Sequence, residues 1–316
     1  MKQIASPASQ RGAIALIFAL LMVTLIASIA ATVSYNMTLD LRRTESLLQQ
    51  EQARQVAVGA EKWIANVLAE DKAAGPDDHL GELWAQPLPP LPVQGAGGEG
   101  FIAGQITDLQ SRFNLNNLVN EQGEPDPFEV ERFQLMLTRL DLDPNLANAV
   151  VDWIDSDTNV TFPGGAEDDT YAGRIPAFNA ANQFFRSSGE LALVEGFDQA
   201  AMTALLPHIV ALPERTQINV NTATPIVLTS LDSNLDASRL DSLIQQRLEN
   251  GFEDLEQAFV GILPAETVQT LTKETQYFQI RSIVRIGTLR FTMYSLLYRD
   301  AQGGTAVLLR SLGTAL

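Results

Sequence analysis

The densest group of chemistry-bearing side chains lies between Asp152 and Asp169, where the sequence reads DWIDSDTNVTFPGGAEDD. Six carboxylates fall within this stretch, and Pro163-Gly164-Gly165 can fold the second group back on the first. Like charges held this close oppose one another unless a cation or solvent screens them. Oxygen donors with no His or Cys among them suit Ca2+ better than a transition metal. Asp155, Asp157 and Asn159 reproduce the first three ligand positions of an EF-hand. The match then fails: Val160 stands where that loop needs glycine, and Glu167 comes one residue late. Three readings stay open: a calcium loop of its own design, a solvated acidic loop, or a glycosidase-type carboxylate pair. For the last, only Trp153 and Tyr171 lie nearby as a sugar platform.

The remaining composition removes other chemistries. The chain has 316 residues, 38 Asp+Glu against 21 Lys+Arg, no cysteine and two histidines, His79 and His208. Thiol nucleophiles, disulfides and Fe–S sites are excluded, and a His-rich metal centre or His-driven triad is disfavoured. A net charge of −17 argues against nucleic-acid binding, which needs a basic face. A hydrophobic fraction of 46% supplies a buried core, and the length suits about two domains.

The elements that must carry this loop begin with an apolar rod. After a polar start containing Lys2 and Arg11, Ala13 to Leu39 carries no charge. Its heart, residues 13–33, would span about 32 Å as a helix, one bilayer core. The preceding cations and the following Asp40 place the N-terminus in the cytoplasm and the rest across the membrane. No proline interrupts residues 13–75, and residues 34–70 suit an amphipathic continuation, giving a helix of roughly 85 Å from Ala13 to about Glu70. A cleaved secretory signal and a plain signal anchor are the simpler readings. The unbroken two-part helix, however, resembles a type IV pilin spine, and Arg11-Gly12 resembles the end of a prepilin leader cut before Ala13. The fifth residue of the mature chain would be Ile17, where most pilins carry a glutamate that pairs with a neighbouring subunit's N-terminal amine.

Beyond the rod, residues 71–100 are rich in Pro and Gly and read as loop around one short helix, His79 to Trp84. Phe101 to Leu109 reads as a strand, followed by the capped turn SRFNLNNLV. From Pro127 to about Thr275 the pattern is helical, with Asp143 expected to cap a helix starting at Pro144. Residues 191–207 and 218–255 echo helix–hairpin–helix units. The second hairpin reads LDSNLD over residues 231–236; it lacks glycine and carries two carboxylates, so it repels phosphate. From Gln276 to the C-terminus the sequence alternates as a three-strand antiparallel meander.

In order, Arg11-Gly12 before the apolar rod, Ile17, SRFNLNNLV, DWIDSD, PGGAEDD and INVNTA resemble the K-subunit family of type II secretion (general secretion pathway protein K). The resemblance covers essentially the whole chain. It implies an α+β, type IV pilin-like fold: a long N-terminal helix on a small antiparallel sheet, with a large inserted helical domain of SAM-like, helix–hairpin–helix-like character. The expected divisions are a cleaved leader at 1–12, the transmembrane half of the helix at 13–33 and its amphipathic half at 34–70. A linker and first strand follow at 71–120. The insertion occupies 121–275, in units of about 121–217 and 218–275, and strands at 276–316 complete the body. The resemblance further implies a non-enzymatic minor pseudopilin of a Gram-negative inner membrane, anchored by one pass with its body in the periplasm. Prepilin peptidase would cut between Gly12 and Ala13. The implied partners are the I and J minor pseudopilins in a tip complex, the major pseudopilin G and the inner-membrane assembly platform. Contact with exoproteins stays open, and no nucleic acid is implied. Calcium is implied in the insertion, with Asp155, Asp157, Glu167, Asp168 and Asp169 as its ligands. A minor pilin of a type IV pilus or DNA-uptake system is the alternative, and a membrane-anchored calcium-dependent hydrolase a further one.

Overall fold

The computed structural model describes residues 7–95, 98–235 and 237–314. Residues 1–6 of the expected leader, and Asp236 of the second hairpin, lie outside the described residues. Helix α1 runs unbroken from Pro7 to Ala74, roughly 100 Å at 1.5 Å per residue. It passes through Gly12 and Ala13 without a break. Its apolar segment is exposed from Leu16 to Val33, whereas Ala53, Ala57, Ile64 and Leu68 are buried. These four residues recur at helical spacing and form the stripe that meets the sheet.

That sheet has five antiparallel strands in the order β1-β2-β7-β8-β9. They are β1 (Leu88–Gly95), β2 (Gly98–Asp108), β7 (Tyr277–Ile286), β8 (Leu289–Arg299) and β9 (Thr305–Leu312). Side chains alternate between faces. Ile64, Leu68 and Trp84 pack on Ile106, Phe278, Ile280 and Leu297. Nearer the N-terminus of α1, Ala53 and Ala57 meet Val284, Ile286, Phe291 and Met293. The three C-terminal strands match the expected meander. Strand β1 corrects the reading of 71–100 as loop. Pro89, Pro90 and Pro92 fit a strand there because β1 is the sheet edge, where a missing N–H leaves no ladder bond unmade. The expected helix at His79–Trp84 is a single 3-10 turn, Leu83–Ala85, whose Trp84 fills the core.

Strands β2 and β7 are hydrogen-bonded neighbours although everything from Leu109 to Gln276 separates them in sequence, so the intervening chain is an insertion into one antiparallel pair. It comprises β3 (Phe113–Asn114), α2 (Pro127–Arg139), α3 (Leu146–Ile154), α4 (Asp168–Ala172), α5 (Gln199–Leu205) and β4 (Ile209–Val210). After these come β5 (Ile218–Asn219), α6 (Pro225–Thr229), α7 (Ala237–Asn250), α8 (Leu255–Phe259), α9 (Ala265–Val268) and β6 (Leu271–Thr272). Two short parallel pairs close it into halves, β3 with β4 and β5 with β6. One apolar cluster from Phe113 to Leu271 runs through both halves. Helix α3 begins at Leu146, two residues later than expected. Asp143 Oδ1 accepts the backbone and side-chain N–H groups of Asn145, forming a turn before the helix instead of capping it.

SRFNLNNLV is a buried hub. Asn116 Nδ2 donates to the Phe185 and Leu212 carbonyls, and its Oδ1 accepts the Phe185 N–H. Asn114 and Asn117 bond the backbone of 212–216 in the same two-way manner. The capped-turn reading therefore holds, with Asn114 accepting the Asn116 N–H.

A second polar knot joins body to insertion. Arg299, buried, donates to both Asp78 oxygens at 2.5 and 2.6 Å, to Asp71 and to the Leu68 and Thr275 carbonyls. Asn219 Nδ2 bonds the Asp78 carbonyl, Asp108 and Thr275. Truncating one partner of a buried pair strands the other charge at a cost of about 3–5 kcal/mol. Arg299→Met is expected to lose stability on that scale in denaturant unfolding. Arg299→Met with Asp78→Leu should recover part of it, giving a coupling energy in a double-mutant cycle.

Candidate metal centre

Helix α3 is apolar along its inner face and delivers Asp152 and Asp155 at its C-terminal end. Asp155 occupies the cap position, its N–H still bonded to the Val151 carbonyl. The chain then leaves the core. Asp157 Oδ1 accepts the backbone and side-chain N–H groups of Asn159, a tight Asx turn. Buried Asp152 pulls the loop back by accepting the Thr161 N–H. A side chain at Gly165 would overlap both Asp152 Oδ2 and the Thr161 carbonyl, so glycine is the residue that lets the returning strand pass. Glu167 then enters the interior, 3% exposed, immediately before α4. Tyr171 of α4 locks the return by packing on Trp153 and Phe178 at centroid distances of 5.1 and 5.3 Å.

The result brings Asp155, Asp157 and Glu167 together, with one carboxylate oxygen of each within 4.8 Å of the others. Asp155 Oδ1 and both Glu167 oxygens are buried with no hydrogen-bond partner. A buried carboxylate without a donor or counter-charge is among the most costly arrangements in a protein. Its electrostatic trace is plain. Burial first, then the Asp152 and Asp155 charges, push Glu167 from 4.5 up to about 7. Burial, then Asp157 and Asp152, push Asp155 from 3.8 up to about 6. A hard divalent cation would remove this cost by taking the orphaned oxygens as ligands. The all-oxygen donor set suits Ca2+.

The other two candidates are placed differently. Asp168 Oδ1 accepts the Ala180 N–H at 2.9 Å, and Asp169 sits exposed in the first turn of α4. Neither belongs to the three-carboxylate group. Asn182 was not among the sequence candidates. Its Nδ2 donates to the Asp157 carbonyl, its N–H to the Trp153 carbonyl, and its Oδ1 is buried without a donor. Its φ of 45° is a conformation that Asn tolerates well, but Ala-Ala-Asn-Gln in the sequence gives no hint of it.

Both folded-state values lie above the ordinary ones, so without cation the folded state binds protons more tightly than the unfolded chain. Stability should then be fullest below about 4 and fall as pH rises through about 6 and about 7. Saturating Ca2+ at pH 8 should restore it, raising Tm by roughly 5–10 °C at a hundredfold excess over Kd. Glu167→Gln should flatten the pH dependence in EDTA and blunt the Ca2+ response, both read by thermal unfolding.

Comparison with known proteins matches family models for "Type II secretion system (T2SS), protein K" at residues 111–214 and 218–281. Type II secretion system protein K of Pseudomonas aeruginosa is 32% identical over 313 residues, covering 95% of this chain and 92% of that protein. The protein of the same name from Pectobacterium carotovorum is 34% identical, covering 93% of this chain and 94% of the relative. A solved structure, GspK in the GspK-GspI-GspJ complex of enterotoxigenic Escherichia coli, superposes with a TM-score of 0.76 at 29% identity. It covers 86% of this chain and 99% of that one.

Proposed function

The chain belongs to the type II secretion system protein K family of non-enzymatic minor pseudopilins, and from that premise we propose that it initiates and caps a pseudopilus. The observation that carries this reading is α1. From Leu16 to Val33 it presents large apolar side chains to its surroundings on every face, then continues without a break into the buried stripe of the body. Such a rod anchors the chain by a single membrane pass and offers a surface for packing against other helices. The hydrolase reading falls with membership of the family.

Ile17 refines the reading. Its side chain is 57% exposed on the rod and carries no charge. A carboxylate inside an apolar helix bundle is tolerable only when paired. A subunit without it gives no anchoring point for the amine of a subunit beyond, which suits the tip position. The solved relative was crystallised with GspI and GspJ. The corresponding I and J minor pseudopilins are the partners proposed for this chain, with the major pseudopilin G below them and the assembly platform in the inner membrane. The N-terminus would face the cytoplasm and the body the periplasm, after prepilin peptidase cuts between Gly12 and Ala13. The bulky insertion would crown the filament and pass folded exoproteins toward the outer membrane. A bound Ca2+ would act structurally, fixing the loop of residues 155–182.

N-terminal sequencing of protein purified from membranes is expected to begin at Ala13. Gly12→Val should leave the full-length chain and abolish secretion of a folded exoprotein. Normal secretion from that variant would refute the assignment.

A further inference from the structure

Residues 173–187 join α4 to the 3-10 turn Ser188–Leu193 and contain no helix or strand. Loops of this length inside a compact domain are uncommon, and their backbone must be held by something other than a repeating ladder. Here the ties run to two places. Ala180 donates its N–H to Asp168, and Asn182 donates its N–H to the Trp153 carbonyl and its Nδ2 to the Asp157 carbonyl. Three residues on, Phe185 exchanges both backbone groups with the side chain of Asn116. The segment is thus fastened to the acidic loop on one side and to the SRFNLNNLV hub on the other.

The fastening to the acidic loop is conditional. Asp168 follows Glu167 directly, and Asp157 belongs to the three-carboxylate group itself. With no cation among them, the three carboxylates oppose one another. Charge then favours an opened loop, and opening displaces Asp157 and Asp168, the two residues that hold Asn182 and Ala180. A ligand shifts such an equilibrium only by binding one state better than the other. Asn182 supplies the difference. Its Oδ1 is buried without a donor, as are Asp155 Oδ1 and both Glu167 oxygens, and it reaches the loop only while the segment is in place.

What the segment carries beyond Asn182 gives this tie a consequence. Phe184 and Phe185 line a cleft of about 390 Å3 together with Leu296 of β8 and Leu308 and Leu309 of β9. Leu308 is the extra residue of a bulge, since Leu309 pairs with Leu296 and Val307 with Leu297. Asn116, which holds Phe185, also bonds the Leu212 carbonyl, and Val210 and Leu212 pack on Tyr277, Leu296 and Tyr298. The segment therefore lies between the acidic loop and the place where the insertion meets the sheet.

We propose that residues 173–187 form a strap that a cation bound at the acidic loop holds closed, with Asn182 as its latch and Phe184 and Phe185 as the cleft wall it positions against the sheet. The proposal rests on the cation reading of the loop and adds what the cation controls. Cation binding and closure of the strap then favour each other, as any two linked equilibria must.

The test is amide hydrogen exchange of the full-length protein in detergent, in excess CaCl2 or in EDTA at one pH, with calcium binding followed by calorimetry on the same samples. Calcium is expected to slow exchange at residues 180–186 about tenfold, and to leave residues 237–268 of the insertion's second half nearly unchanged. Asn182→Gly removes the latch while tolerating the φ of 45°. At saturating calcium it should lose the slowing at 180–186. Asn182→Asp keeps an oxygen for the cation and should retain the slowing. Wild type that binds calcium with no slowing at 180–186, or with equal slowing throughout 121–275, overturns the strap and spares the cation reading. Undiminished slowing in Asn182→Gly overturns Asn182 as the latch. Wild type that neither binds calcium nor gains Tm from it overturns the cation reading and the strap together.

Discussion

The architecture depends on one buried ion pair. Arg299 and Asp78 sit where four chain segments converge: the end of α1, the end of β2 through Asn219 and Asp108, the exit of the insertion at Thr275, and the end of β8. An ion pair taken from water gains little on average, because desolvation offsets attraction. What justifies this one is that its members are satisfied. Asp78 also accepts the Thr275 N–H, while the guanidinium reaches two backbone carbonyls and lies over the Phe278 ring at 4.8 Å. Asp108 adds donors from Thr222, Thr275 and Asn219. Such a knot specifies one relative position of body and insertion. Apolar contact alone would allow neighbouring ones.

The same knot shows why carboxylate proximity does not make a metal site. Asp71, Asp78 and Glu82 approach one another as closely as the loop carboxylates do. There, Arg299 supplies the positive charge and Glu82 accepts the His79 N–H and Trp84 Nε1–H. At the loop, Asp155 Oδ1 and both Glu167 oxygens are buried with no donor among the described residues. The distinction is invisible to a count of acidic residues. It appears only when each oxygen is asked for its partner.

Much of this was legible in the sequence, for reasons that also mark the limits. The rod and the meander announce themselves through long periodic runs, and INVNTA and SRFNLNNLV through asparagines alternating with core residues. Strand β1 was hidden because its prolines oppose β structure everywhere except an edge, and edge position is a tertiary fact. The parallel pairs β3 with β4 and β5 with β6 are two residues long, too short for any period. In the loop, residue type pointed to Asp155, Asp157 and Glu167. Type alone could not separate them from Asp168, turned to the Ala180 N–H, nor reveal Asn182, which a distant segment brings in.

The insertion's place in the sheet explains how so large a domain is carried without disturbing the body. It leaves at Asp108 and returns at Tyr277, the end of a ladder in which β2 and β7 are paired from Gly100 to Asp108. Antiparallel neighbours can be joined by any connection whose ends lie close together, and loop-closure entropy grows only slowly with length. The insertion meets that condition by folding its own ends together. Leu109 N–H bonds the Tyr277 carbonyl, Asn219 N–H bonds the Gln110 carbonyl, and Gln110 Oε1 accepts the Gln276 N–H. Seen from the sheet, the whole insertion is a long hairpin loop with a core of its own. Its acidic loop can then vary without a strand of the body changing register.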